Sequence, residues 1–140
     1  MGVLLSKTAQ QFLHEQVYAH IATVMRDGSP QVTPLWVETD GTDILINTAT
    51  GRLKTRNMQR DARVALSIMG MESAYRGLWV RGRVKEIKPD NELIDALSLK
   101  YTGNPDYQGH RDGETRVTVR IEPEHIAQRG LDLREINAGR

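Results

Sequence analysis

Residues 18–47, YAHIATVMRDGSPQVTPLWVETDGTDILIN, decide the fold. Tyr18 to Val24 reads as a strand, and Arg26-Asp27-Gly28-Ser29-Pro30 supplies a turn in which Gly28 takes positive φ without a Cβ penalty. Gln31 to Glu38 forms the next strand. Asp40-Gly41 then marks a second hairpin turn, and Ile44-Leu45-Ile46-Asn47 follows, so this stretch reads as a meander of three antiparallel strands.

The pattern continues outward on both sides. Upstream, Ser6 and Thr8 offer helix caps ahead of Ala9, Phe12 and Leu13 at helical spacing, predicting a short amphipathic helix that ends near Gln16. Downstream, Thr50 or Gly51 is placed to cap a helix running through Arg52 to Asp61, and Val64, Leu66 and Ile68 alternate as in a half-buried strand. From Leu78 to Lys85 the alternation is clean. Leu78, Val80, Gly82 and Val84 face one way, while Trp79, Arg81, Arg83 and Lys85 face the other. Pro89-Asp90 begins a helix carrying Leu93, Ile94, Leu97 and Tyr101, which Gly103-Asn104-Pro105 ends. Val117, Val119 and Ile121 alternate with Arg116, Thr118 and Arg120 in a last strand, interrupted by Glu122-Pro123 ahead of His125 to Arg129. About six short strands and three helices predict a mainly β (α+β) fold: a small antiparallel barrel with peripheral helices, since an open sheet leaves edges able to pair with other molecules.

The chain has 140 residues, 39% apolar and 26% charged, which suits one domain, expected over residues 1–130 with 131–140 as a C-terminal tail. With no cysteine there is no disulfide framework, thiolate metal site, iron–sulfur cluster or cysteine nucleophile. Lys+Arg is 19 against Asp+Glu 18, so no overall field points to a nucleic-acid or membrane partner, and any basic site is local. No span approaches transmembrane length, and the run Val3-Leu4-Leu5 is too short for a signal-peptide core. A cytoplasmic location is expected.

Local charge is concentrated in one place. Residues 51–63 hold Arg52, Lys54, Arg56, Arg60 and Arg63 against Asp61 alone. Asn47, Thr48 and Thr50 lie just upstream, where a strand end meets the free amides of a helix start, and phosphate suits such a site. Arg52 and Lys54 offer charge-assisted bonds, Thr48 a hydroxyl and Asn57 an amide. An ordinary solvated helix face is the competing reading. Trp79 with Arg81 and Arg83 reads either as a stacking platform for a planar anion or as a sheet face covered by long side-chain stems. His14, His20, His110 and His125 have no zinc-site spacing, so no metal is expected, and His20 reads as a half-buried strand side chain. No nucleophile elbow, phosphate-loop or dinucleotide signature occurs.

Several segments taken together resemble one family: residues 27–36 (DGSPQVTPLW), 47–57 (NTATGRLKTRN), 60–66 (RDARVAL), 79–84 (WVRGRV), 100–103 (KYTG) and 116–123 (RVTVRIEP). They resemble the flavin and deazaflavin-dependent oxidoreductases of the pyridoxamine 5′-phosphate oxidase-like superfamily, most closely the members that use coenzyme F420. The resemblance implies a split β-barrel homodimer with its cofactor at the interface. It implies ring contacts at Gln31, Val32, Thr33, Pro34 and Leu35, and a phosphate site at Asn47, Thr48, Arg52, Lys54 and Asn57. Trp79, Arg81 and the segment near Tyr107 are expected to reach the ligand of the partner subunit. FMN users carry a basic residue where the second strand begins and an Arg-Lys pair in the phosphate segment, whereas this chain has Gln31-Val32 and Leu53-Lys54. The implied activity is therefore hydride transfer from reduced coenzyme F420 to an unsaturated small organic acceptor. The alternatives are an FMN-binding reductase or oxidase and a non-enzymatic flavin, deazaflavin or haem carrier. No catalytic residue is assigned, and the acceptor pocket is expected among the loops 70–76 and 103–113.

Overall fold

The structure is a computed structural model, described over residues 2–131. Its elements run α1 (Lys7–His14), β1 (Tyr18–Val24), β2 (Pro30–Leu35), β3 (Val37–Thr39), β4 (Ile44–Ala49), α2 (Leu53–Arg60), β5 (Arg63–Met69), β6 (Gly77–Pro89), α3 (Glu92–Thr102) and β7 (Arg116–Arg129). All strand pairings are antiparallel, in one sheet of order β2-β1-β5-β6-β7-β4-β3.

Both hairpin turns form as their glycines require, with Gly28 at φ 88° and Gly41 at φ 95°. The strand between them does not survive whole. Trp36 interrupts it, so that Pro30–Leu35 pairs with β1 while Val37–Thr39 pairs with β4, giving seven strands where about six were expected. β2 and β3 are consecutive in the chain yet occupy opposite ends of the sheet. The sheet must therefore curl until its edges meet within one residue. Hydrogen bonds do not close the ring; the chain itself does, through Trp36.

Two residues of α3 hold this break. The Val37 amide donates to Tyr101 Oη at 3.4 Å, and Lys100 Nζ donates to the Val37 carbonyl at 2.8 Å. The same side chains reach α1 and its exit, Lys100 to the Leu13 carbonyl at 2.6 Å and Tyr101 Oη to the Val17 carbonyl at 2.9 Å. Trp36 stacks on Tyr101, their rings 5.3 Å apart and within 5° of parallel. Burial pushes the Lys100 amine below its ordinary pKa, against the nearby Glu38 carboxylate, which favours the charged form.

Inside the curl lies one core, with Phe12, Leu13, Ile21, Ile46, Leu78 and Ile121 fully buried. α1 starts at Ser6, whose hydroxyl accepts from the Ala9 amide at 3.1 Å, and it buries Ala9, Phe12 and Leu13. Along β6 the expected alternation holds: Leu78, Val80 and Gly82 are buried while Trp79, Arg81 and Arg83 are exposed. Three boundaries differ. α2 is capped by neither Thr50 nor Gly51, because Arg52 occupies the cap position without a side-chain bond. α3 starts at Glu92 rather than at Pro89, which still pairs with Val117. Pro123 does not end β7; it pairs with Gly82, and Glu124 is accommodated as a bulge. A Cβ on Gly82 would lie 2.2 Å from the Glu122 carbonyl oxygen, so only glycine admits this approach. Of the expected tail, Leu131 packs in the core and the remainder lies outside the described residues.

Tyr101→Phe should keep the stack on Trp36 but strand the Val37 amide and Val17 carbonyl, lowering stability by about 1–2 kcal/mol in urea unfolding. Gly82→Ala forces backbone apart at the bulge, with an expected loss of about 2–3 kcal/mol by the same measurement.

Candidate functional site

The break at Trp36 opens a cleft of about 170 Å³ between the end of β2, the end of β4, the start of α2 and the start of β7. Pro34 and Leu35 form one wall, Arg52 and Lys54 another, and Asn47 and Arg116 meet at the bottom. Tyr107 covers it from the segment between α3 and β7, packing edge-on against Trp36 with ring centres 6.1 Å apart. The Tyr107 amide is tied to Asp95 of α3 at 2.9 Å.

Three basic side chains share this space. Arg52 is paired, its Nε donating to Glu114 at 2.9 Å. Among the described residues the hydrogen-bond partner of Lys54 Nζ is a hydroxyl, Thr33 Oγ1 at 3.2 Å. Arg116 donates from Nε to Asn47 Oδ1 at 2.8 Å and lies over the Tyr107 ring at 5.0 Å. Its Nη1 is buried and has no hydrogen-bond partner among the described residues. A buried donor on a cation, left unpaired, is costly unless something outside the chain accepts from it. Burial lowers the Lys54 pKa first, and the charges of Arg52 and Arg116 lower it further. The Arg116 guanidinium is likewise pushed down by burial, with Arg52 adding to the shift. The cleft is short of negative charge, and an anion with several acceptor oxygens, such as phosphate, matches it. The start of α2, whose cap residue Arg52 lines the cleft, has no side-chain cap hydrogen bond.

Of the residues singled out from sequence, Pro34, Leu35, Asn47, Arg52 and Lys54 line this cleft, with Thr33 bonded to Lys54. Thr48 and Asn57 do not. Thr48 is buried against Thr55, their hydroxyls 3.1 Å apart. Asn57 uses both ends of its amide inside the protein, donating to Thr23 at 3.0 Å and accepting from Arg60 at 3.0 Å, so it fastens α2 to β1. Gln31 is bonded to Thr23 at 3.1 Å. Val32, Trp79 and Arg81 line a different groove of about 530 Å³ on the outer sheet face, together with His20 and His125. His20 is exposed there rather than half-buried. Tyr107, expected to serve the partner subunit, stands in the cleft of its own chain. In the sequence Arg116 is one member of a strand alternation; in the structure it is buried beneath the Tyr107 ring, a contact that local periodicity does not report.

A family model described as Pyridoxamine 5′-phosphate oxidase matches residues 5–130. The chain belongs to this family. Among solved structures, the family fold is shared with an F420 reductase at 32% identity and a TM-score of 0.76, over 84% of this chain and 94% of that one. A conserved hypothetical protein from Mycobacterium tuberculosis is 24% identical with a TM-score of 0.70, covering 91% of this chain and 86% of that chain. HutZ, the heme storage protein from Vibrio cholerae, is 17% identical with a TM-score of 0.63, over 91% and 96% of the two chains. These last two speak for the fold alone. A search of curated proteins finds no match. The pyridoxamine 5′-phosphate oxidase-like fold fixes the scaffold, and the groups placed on it decide the chemistry. No group of three or more His, Asp or Glu side chains able to hold a metal occurs among the described residues.

An anion in the cleft restores the Lys54 charge, so binding takes up a proton wherever that amine is partly neutral. Affinity for inorganic phosphate, measured by calorimetry from pH 8 upward where phosphate remains a dianion, should fall as pH rises through the depressed Lys54 pKa. The fall should begin below the ordinary lysine value of 10.5 and vanish in Lys54→Met.

Proposed function

We propose that this protein is an oxidoreductase that binds reduced coenzyme F420 and passes a hydride to an unsaturated small organic acceptor. The observation that carries this reading is the cation-rich cleft with its unpaired Arg116 donor, opening directly onto the edge formed by Pro34 and Leu35. The 32% identity to an F420 reductase supports the choice of cofactor. When bound, the reduced deazaflavin supplies the hydride. The chain's part is to grip, align and shield. Arg52, Lys54 and Arg116 hold the phosphate-bearing tail. The face of β2 that presents Val32 and Pro34 offers a flat, partly apolar edge for the ring, with Gln31 and Thr33 on the opposite side. Asn47 keeps Arg116 aimed into the cleft, while Thr48 and Asn57 support the segment from behind.

A cavity of about 890 Å³, bordered by Tyr18, His20, Met69, Met71 and Tyr101, meets the cleft along Pro34, Leu35 and Trp36. Its apolar, aromatic lining suits the acceptor, held beside the ring with water excluded. Met71 brings in the loop 70–76. Tyr18, Val32, Met69 and Trp79 are exposed on the same side of the sheet, and we assign this face to a second copy of the chain. A homodimer formed there would bring Trp79 and Arg81 of each protomer towards the β2 edge of the other.

Titration of the purified apoprotein with coenzyme F420 and with FMN tests the reading. Micromolar F420 binding is expected with weaker FMN binding, and the reverse order would make the protein an FMN enzyme. Cofactor bound without reduction of any quinone or enone offered would make it a carrier. The double variant Arg52→Ala with Lys54→Ala should lose F420 binding by at least about 100-fold while light scattering still reports a folded dimer, since two charge-assisted contacts are removed.

A further inference from the structure

His20 stands where the large apolar cavity meets the edge of β2. Strand alternation turns Tyr18 and His20 to the outer face of β1, while Ala19 and Ile21 enter the core. The register sets His20 between Pro34 of β2 and Ser67 of β5, and side chains so paired start about 5 Å apart on one face. Pro34 belongs to the edge assigned to the deazaflavin ring. His20 also borders two hollows, the cavity of about 890 Å³ and the groove of about 530 Å³, and among the described residues it alone is shared by both linings. Its imidazole makes no hydrogen bond, ion pair or ring contact among the described residues. The other titratable groups around it are Tyr18 and Tyr101 in the cavity and Arg81 and His125 in the groove; neither lining includes a carboxylate. The Tyr101 hydroxyl is spent on the seam, accepting from the Val37 amide and donating to the Val17 carbonyl. Tyr18 pairs with Met69 and lies beyond the end of the β1–β2 ladder. His20 is therefore the titratable group set directly beside Pro34.

We propose that His20 is the general acid of the reaction, handing a proton to the carbonyl oxygen of a conjugated acceptor as the hydride arrives. This rests on the proposed redox function and adds to it the acceptor class, an α,β-unsaturated ketone whose reduction leaves an oxyanion. The β-carbon of the acceptor takes the hydride from the reduced cofactor and a C–H bond forms. The C=C pair shifts toward the carbonyl carbon, and the carbonyl π pair passes to oxygen. An imidazolium N–H bond breaks toward that oxygen, giving the enol, which rearranges to the saturated ketone. The cofactor is left oxidised by two electrons. The neutral imidazole recovers its proton from water on the groove side, so delivery and reloading take place in different hollows. Imidazole suits the task, because its ordinary titration near neutrality lets it both give and regain a proton there.

Cyclohexenone serves as the acceptor for the F420-loaded protein. His20→Asn should lower kcat about 100-fold while F420 affinity is kept, since a positioned acid contributes on that order. In the native protein kcat should fall as pH rises and the imidazolium is lost, and this limb should be absent from His20→Asn. Added imidazole should restore part of the rate in His20→Ala, which a structural role would not allow. A readout free of turnover is para-nitrophenol, a flat oxyanion mimic whose visible absorption distinguishes phenol from phenolate. Bound to the apoprotein it should titrate about one pH unit lower than in water, a roughly tenfold preference for the anion, and the shift should vanish in His20→Asn. An undiminished kcat in His20→Asn, or a loss confined to Tyr18→Phe, overturns the assignment. If the native protein does not bind F420, or binds it without reducing the enone, the redox reading falls and the nitrophenol shift decides His20. A shift that depends on the imidazole upholds it as proton donor to an oxyanion; a shift that is absent, or that survives in His20→Asn, overturns it.

Discussion

The single residue Trp36 separates two strands that stand at opposite ends of the sheet, and the rest of the molecule is arranged around that constraint. A twisted sheet of seven antiparallel strands has two edges, each with a row of unpaired backbone groups. Here the edges are successive pieces of one segment, so the sheet can only curl upon itself. The Val37 amide and carbonyl sit at the seam, and α3 answers both, one with the Tyr101 hydroxyl and the other with the Lys100 amine. Burying an amine is unfavourable, as its lowered pKa shows, but at this position it satisfies two carbonyls at once and has Glu38 within 3.4 Å. α3 is therefore less a decoration on the barrel than the clasp that holds it.

The same seam produces the cleft. Where β2 ends, its pairing with β1 stops at Leu35, and the chain turns away before β3 pairs with β4. The space left is floored by the far end of β4 and by Arg116 at the start of β7, which pair with one another through Ala49 and Arg116. Arg52 and Lys54 enter from α2 because only three residues separate Ala49 from Leu53, one of them Gly51 at φ 82°. The site is thus assembled by tertiary closure, and it stores unfavourable charge. Among the described residues three buried side-chain atoms have no hydrogen-bond partner, Asp43 Oδ1, Arg76 Nε and Arg116 Nη1, and of these the Arg116 nitrogen belongs to a residue that lines the cleft.

Much of this was legible from local pattern. Gly28 and Gly41 announced the turns because no other residue takes those backbone angles so readily, and the alternation from Leu78 to Val84 named the buried face of β6 correctly. The cluster at Arg52 and Lys54 stands out because, in a nearly neutral chain, residues 51–63 collect five basic side chains against one acid. What escaped depended on distance along the chain. Arg116 alternates with core residues and so reads as exposed; it is buried because Tyr107, held by Asp95 at 2.9 Å, folds across it. Asn57 and Thr48, polar residues beside a basic cluster, read as ligand groups, whereas their hydrogen bonds are consumed by Thr23, Arg60 and Thr55. The strand through Trp36 looked continuous because its composition is strand-like on both sides of the break, and only the partners of each half reveal the division.

The aromatic residues tie seam and site together. Trp36 stacks on Tyr101, which holds the seam, and meets Tyr107, which covers the cleft and in turn carries the Arg116 guanidinium on its face. These contacts form an unbroken path from the clasp on α3 to the unpaired donor in the cleft. The residue that separates the two edge strands is therefore in contact both with the ring that holds the seam and with the ring that packs on the cleft's buried guanidinium. That adjacency follows from topology: where the edges of a sheet are joined by one residue, a cleft beside that residue is bounded by the closure itself.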